Sequence, residues 1–281
     1  MSRCRSTASA PSRTPSCETG PVIVEVISVG TELLLGQIVN SNAATIAQRL
    51  AAAGLDAHHQ VTVGDNLPRL TGAIADAAAR ADAVVLTGGM GPTPDDLTRD
   101  ALCAFAGVGI VRDAAQEQRI RERVNQARGT VTASALRMAD YPEGADPLPN
   151  SVGVALGTAM EHDGVHLFAL PGVPSEMVAM LDEQVMPRLA ALAGEPAVLR
   201  SRLLATVGLG ESQVAEMLGE LNDSANPSVA YMLSEGRTRI RISAKAATEA
   251  AADALIDGME SAVVARLGPH AVSGPVDDPR P

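Results

Sequence analysis

The chain has 281 residues, 46% hydrophobic and 20% charged, with a net charge of −11; that length gives a prior of about two domains, large enough to form cores without disulfides. Its four aromatics, Phe105, Phe168, Tyr141 and Tyr231, require an aliphatic core, and with the acidity they argue against nucleic acid as a partner, which calls for a basic footprint and stacking rings. No apolar run approaches the ~20 residues of a membrane span, and Cys4, Cys17 and Cys103 lack metal-ligand spacing, which fits a reducing, cytoplasmic setting.

Residues 1–20 are rich in Ser, Thr and Pro, carry three Arg and have no apolar stretch, so they read as a disordered tail and not as a secretory signal. Val22 to Val29 reads as a buried strand ending at Gly30. Ala43, Ile46, Ala47 and Leu50 have helical spacing, closed by Gly54. A strand over 56–63, a helix over 67–79 and a strand over 83–87 follow, then a helix over 96–105. Residues 113–128 and 131–138 read as polar-faced helices and 141–157 as a loop punctuated by Pro and Gly. Val165 to Leu170 is another strand, and one helix runs from Ser175 to about Leu192, capped by Ser175. The alternation predicts an α/β domain over 21–193, with a parallel sheet covered by helices on both faces. After Ala193 to Pro196, residues 198–274 read as a small β-α-β-β-α-β sandwich, and 275–281 as a second loose tail. On its long strand Arg237, Arg239 and Arg241 alternate on one side, the pattern of a solvated face.

Ligands in such sheets sit at the carboxyl ends of strands, and the chemistry-bearing motifs fall there. Gly30-Thr31-Glu32 through Asn40-Ser41-Asn42 leaves the first strand and enters a helix, where free amides suit an anion. Thr87-Gly88-Gly89-Met90-Gly91-Pro92-Thr93-Pro94-Asp95-Asp96 makes a tight loop able to wrap a phosphate. Its two carboxylates either cap the next helix or hold a divalent metal that clamps a pyrophosphate. Gly64-Asp65-Asn66 ends a neighbouring strand. Pro171-Gly172 through Ser175-Glu176 is a turn into a helix, with Glu176 read as a partner of the helix dipole. Signatures of Walker ATPases, of nicotinamide dehydrogenases and of serine hydrolases are absent from the sequence.

In their order, GTELLLGQIVNSN, VGDN, LTGGMGPTPDDLT, LPNSVGVALG and LPGVPSEM closely resemble the competence/damage-inducible CinA family. The resemblance implies a three-layer MoaB/Mog-like (molybdopterin-binding) α/β domain, and GLGES and RIRISAKA extend it into a small α+β KH-like domain. It implies ADP-ribose pyrophosphatase activity, giving AMP and ribose 5-phosphate with Mg²⁺, Mn²⁺ or Co²⁺. Asp65 and Asp96 match the family's functional acids. Thr31, Glu32 and Asn40 belong to the motif facing the same pocket. The expected arrangement is catalysis by Asp65, Asp96 and Glu32, a metal on Asp65, Asp95 and Asp96, and ligand contacts from Gly30, Thr31, Asn40, Asn42, Thr87, Gly88, Gly89, Gly91, Thr93, Pro171, Gly172 and Ser175. The alternatives are a module that binds a nucleotide or pterin without turnover, or an accessory protein of DNA uptake. Full-length relatives add a domain that deamidates nicotinamide mononucleotide; these 281 residues leave no room for it, so no amidase activity is expected. Such relatives associate as dimers or trimers, so a homo-oligomer is expected.

Overall fold

The computed structural model describes residues 22–194, 197–234 and 237–272. The expected tails, the Glu195-Pro196 boundary and the Glu235-Gly236 turn lie outside them.

The first sheet begins with β1 (Val24–Val29), buried along its length. α1 (Thr31–Leu34) and α2 (Ser41–Ala52) follow, then β2 (Gln60–Val63), α3 (Leu67–Ala78) and β3 (Ala83–Thr87). α4 (Thr98–Ala106) leads to a small annex of β4 (Ile110–Arg112), α5 (Ala114–Gln126), α6 (Ala133–Leu136) and β5 (Asp140–Pro142). The chain returns through β6 (Asp146–Leu148), β7 (Gly157–His162) and β8 (Val165–Leu170) to α7 (Pro174–Met180) and α8 (Met186–Ala193).

The strand order is β2-β1-β3-β8-β7-β6. The first four strands are parallel, but β7 runs antiparallel to both of its neighbours, β8 and β6, so the sheet is mixed. The expected all-parallel sheet is corrected at one turn. Asp163 and Gly164, at φ 50° and 77°, join β7 to β8 as a two-residue hairpin, and Asp-Gly favours that left-handed pair. The loop expected over 141–157 accordingly contains β6 and leads into β7. Side chains alternate across the sheet. Val24, Val26, Ala83, Val85, Phe168 and Leu170 pack with residues of α2, α7 and α8. Ile27, Val29, Val84, Leu86, Leu167 and Ala169 pack with residues of α3 and α4 on the other face. Three layers result.

Two helices differ from expectation. The single helix over 175–192 is interrupted by a π turn at Leu181–Val185. Pro187 has no N–H to donate to Glu183, so the ladder loosens in the turn before it. Its first residue is Pro174 and its cap position is Val173, so Ser175 lies inside the first turn and does not cap. The helix expected from 96 starts at Thr98, leaving Asp95 and Asp96 in the loop.

The second sheet, β10-β11-β9-β12, is antiparallel. Its strands are β9 (Val198–Thr206), β10 (Ser228–Ser234), β11 (Arg237–Ala246) and β12 (Ala271–Val272), with α9 (Glu211–Leu218) and α10 (Glu249–Leu267) sharing one core with it. The arginine stripe is not uniformly solvated, because Arg239 is buried. The only lysine, Lys245, bridges the two sheets' domains by donating to both oxygens of Asp56 at 3.0 and 3.1 Å.

Candidate ligand site at the strand ends

Thr87, the last residue of β3, ties three distant motifs together. Its buried hydroxyl donates to Pro171 O at 3.0 Å and accepts from Asn42 Nδ2 at 3.0 Å. The same amide nitrogen donates to Gly172 O at 2.9 Å. A carbonyl can only accept, which fixes the Asn42 amide with Oδ1 pointing away, buried and without a partner among the described residues. Asn40 caps α2 by accepting from Ala43 N at 3.1 Å. Asn40, Asn42, Thr87 and Gly172 border a cleft of about 110 Å³, lined also by Glu32, Gly88, Ile38, Val39 and Ser28. Ser28 Oγ is a second buried polar atom there without a partner among the described residues.

The glycine loop wraps back on α4. Gly88 has φ +101°, and a Cβ on it would lie 2.2 Å from Val29 O, so only glycine fits. All four carbonyls of Gly88 to Gly91 accept hydrogen bonds from the first two residues of α4. Thr98 Oγ1 donates to Gly88 O at 2.6 Å and Thr98 N to Gly89 O at 3.1 Å. The Arg99 guanidinium donates to Met90 O at 2.7 Å and to Gly91 O at 2.5 Å. Gly88 N–H donates to Leu170 O at 3.0 Å, and Gly91 N–H to Asp96 Oδ1 at 2.8 Å. The N–H groups of Gly89 and Met90 have no partner among the described residues.

The acids play different parts. Asp96 also accepts from Thr93 N at 2.8 Å and from Thr93 Oγ1 at 2.5 Å, so both its oxygens brace the loop. Asp65 is paired with Thr31: Thr31 N donates to Asp65 Oδ2 at 2.9 Å, and Asp65 N donates to Thr31 Oγ1 at 3.1 Å. Its Oδ1 accepts nothing among the described residues. Asp95 is exposed. Glu32 folds back over Gly30, where a Cβ would meet its carboxylate at 2.5 Å. The expected trio of Asp65, Asp95 and Asp96 is not brought together: no group of three His, Cys, Asp or Glu suited to a metal ion occurs among the described residues. β1 separates the strands that precede Asp65 and Asp96.

Of the expected contact residues, Asn40, Asn42, Thr87, Gly88 and Gly172 line the cleft, as does the expected catalytic Glu32. Gly89 and Gly91 lie in the loop beside it, Thr93 in the Asp96 brace and Thr31 in the Asp65 pair. Pro171 contributes its carbonyl, Gly30 the surface under Glu32, and Ser175 is exposed beyond the rim. Sequence reasoning missed the supporting residues. Asn150, fully buried, donates to Glu176 Oε2 at 2.6 Å and accepts from Val152 N and Gly153 N at 3.0 and 2.6 Å, pinning the 149–156 loop against α7. Glu176 is therefore a side-chain anchor as well as a first-turn acid. Arg137 donates to Asp100 Oδ2 at 2.8 Å and to Thr93 O at 3.2 Å, fastening the loop from the annex. Arg99 had one legible signal: a cation in a helix's first turn opposes the dipole.

A three-layer α/β domain with a glycine loop and a capped helix meeting at strand ends, followed by a small α+β domain, defines the class. Residues 25–191 match the family described as "Probable molybdopterin binding domain", and residues 201–272 match the "Damage-inducible protein CinA KH domain". The chain belongs to this CinA-like, molybdopterin-binding-domain family. It is 44% identical over 263 residues to a CinA-like protein of Frankia casuarinae, covering 90% of this chain and 60% of that protein. A CinA-like protein of a Nostoc species is 42% identical over 240 residues, 85% of this chain and 57% of its own length. The chain thus spans about three-fifths of these relatives. The crystal structure of CinA from Thermoplasma acidophilum, described as of unknown function, aligns with TM-score 0.56 and 34% identity, covering 60% of this chain and 98% of that one.

Proposed function

We propose that the strand-end site binds a phosphorylated nucleotide or pterin and that the chain hydrolyses the phosphoanhydride of ADP-ribose to AMP and ribose 5-phosphate. The observation that carries the binding half is the glycine loop. Four consecutive carbonyls are held inward by α4, and two successive amides, Gly89 and Met90, are left for oxygen atoms of a phosphate. The cleft beside the loop takes the ring attached to that phosphate.

A resident divalent cation held by three carboxylates does not fit these residues, since Asp96 is committed to the loop. The set fits a cation that enters on the diphosphate and completes its shell with one or two carboxylates, as Mg²⁺ does. Asp65, through Oδ1, and exposed Asp95 are the candidates. Such an ion supplies polarisation of a phosphoryl oxygen. The chain's own part is to hold the phosphate on the loop amides and to offer the Glu32 carboxylate in the cleft, where it orients a water and takes its proton. Water adds to one phosphorus and the bridging P–O bond breaks, which balances the two products. The assay is purified protein with ADP-ribose and Mg²⁺, Mn²⁺ or Co²⁺, scored for AMP. Binding without AMP under every metal refutes turnover. It favours the second reading, a binding module, which the absence of a grouped carboxylate trio among the described residues supports.

A further inference from the structure

Arg99 is among the largest fully buried side chains of the protein, 1% exposed, yet it stands in the first turn of α4. A cation there is disfavoured by burial and by the helix dipole together. Its hydrogen bonds run to two carbonyl oxygens, Met90 O and Gly91 O. It makes no ion pair with a carboxylate among the described residues. The acids that face it are Asp96, Asp100 and Asp140. Each is engaged elsewhere: Asp96 by Gly91 N and Thr93, Asp100 by Arg137 at 2.8 Å, and Asp140 by Arg112 at 2.5 and 3.0 Å. Burial and the neighbouring Arg137 pull the guanidinium below its ordinary value, and it keeps its charge, as arginine does in proteins. A positive charge thus lies directly beneath the glycine loop, joined to it and shielded from water.

We propose that Arg99 is the positioning residue that turns the Gly88–Gly91 loop into a receptor for a polyanion. It acts in two ways through the backbone: its fork draws the carbonyls of Met90 and Gly91 inward, and its charge reaches a phosphate through a thin, water-poor loop, where the field is stronger than in bulk solvent. The ligand class follows: a diphosphate is favoured over a singly charged or neutral analogue of the same ring. This rests on the phosphate-binding reading above.

The test compares Arg99→Lys and Arg99→Gln in the full chain by titration calorimetry with inorganic diphosphate, ADP-ribose and adenosine. Both variants lose the two-pronged fork, and only the second loses the charge. Diphosphate affinity is expected to fall at least tenfold further in Arg99→Gln than in Arg99→Lys, with adenosine affected equally in the two. Equal losses of diphosphate in both variants, with the wild type binding it, overturn the charge role and leave phosphate binding intact. A wild type that binds no diphosphate overturns both readings. Should Arg99→Gln fail to fold, wild-type NMR decides: diphosphate is expected to shift the Gly89 and Met90 amides and the Arg99 Nε–H resonance, and an unmoved Arg99 signal overturns the proposal.

Discussion

Replacing Asp96 and Asp65 separately by Asn distinguishes a loop brace from a cation ligand. Asp96 accepts three hydrogen bonds, from Gly91 N and Thr93 N at 2.8 Å each and from Thr93 Oγ1 at 2.5 Å. Asn keeps one accepting oxygen and turns an NH₂ toward a donor on the other side, so one or two of these bonds are lost. Bonds to a charged acceptor contribute about 1.5–3 kcal/mol each. Partial exposure places the loss at the lower end, about 2–3 kcal/mol. For a domain of this size that is a fall of roughly 4–12 °C in Tm. Asp65 differs: an Asn there still accepts from Thr31 N with its one oxygen, so stability should change by less than ~0.5 kcal/mol. AMP formation should nevertheless fall, because the free oxygen is the one proposed to meet the cation. Urea melts followed by circular dichroism, with the AMP assay in parallel, read both effects. An Asp96→Asn protein that melts like its parent but has lost AMP formation would refute the brace and return Asp96 to the metal.

Gly88→Ala must relieve a 2.2 Å contact with Val29 O at φ +101°, so at least ~3 kcal/mol of stability should be lost, measurable by denaturant titration. Lys245→Met removes a half-exposed ion pair to Asp56; the expected loss is below ~1 kcal/mol and vanishes near 1 M salt, where the Debye length is about 3 Å. Burial pushes the Cys103 thiol from 9.0 up to about 11. Between those values the folded protein holds a proton that the unfolded chain has released, so stability falls as pH rises from 9 toward 11. Cys103→Ala should flatten that alkaline slope in melts taken from pH 8 to 11; an unchanged slope would show that another group carries it.

Local chemistry determined much of this protein. The β-branched runs of β1 and β3, the helical spacing of Ile46 and Leu50, and the glycine turns fixed which segments are strands and helices and put the motifs at strand ends. These signals act over a few residues, through side-chain periodicity and backbone sterics, so they are visible in one sequence. The signal of the Asp163-Gly164 hairpin is equally local, and the mixed sheet follows from it.

Tertiary structure decided what each polar residue does. Asp65, Asp95 and Asp96 look alike in sequence. One is paired with Thr31 across two strand ends, one is exposed, and one is spent on loop amides. Arg99 reads as an ordinary surface cation until α4 folds onto the loop and buries it. Thr87 touches Asn42 and Gly172 shares that amide only because β3 lies between β1 and β8. The partners of Asp65 and Asn42 lie 34 to 130 positions away, and those of Asp96 and Arg99, though 3 to 9 positions away, are met only when the loop folds back against α4. The sequence therefore located the strand ends proposed to hold a ligand, and only packing determined which carboxylates remain free to meet it.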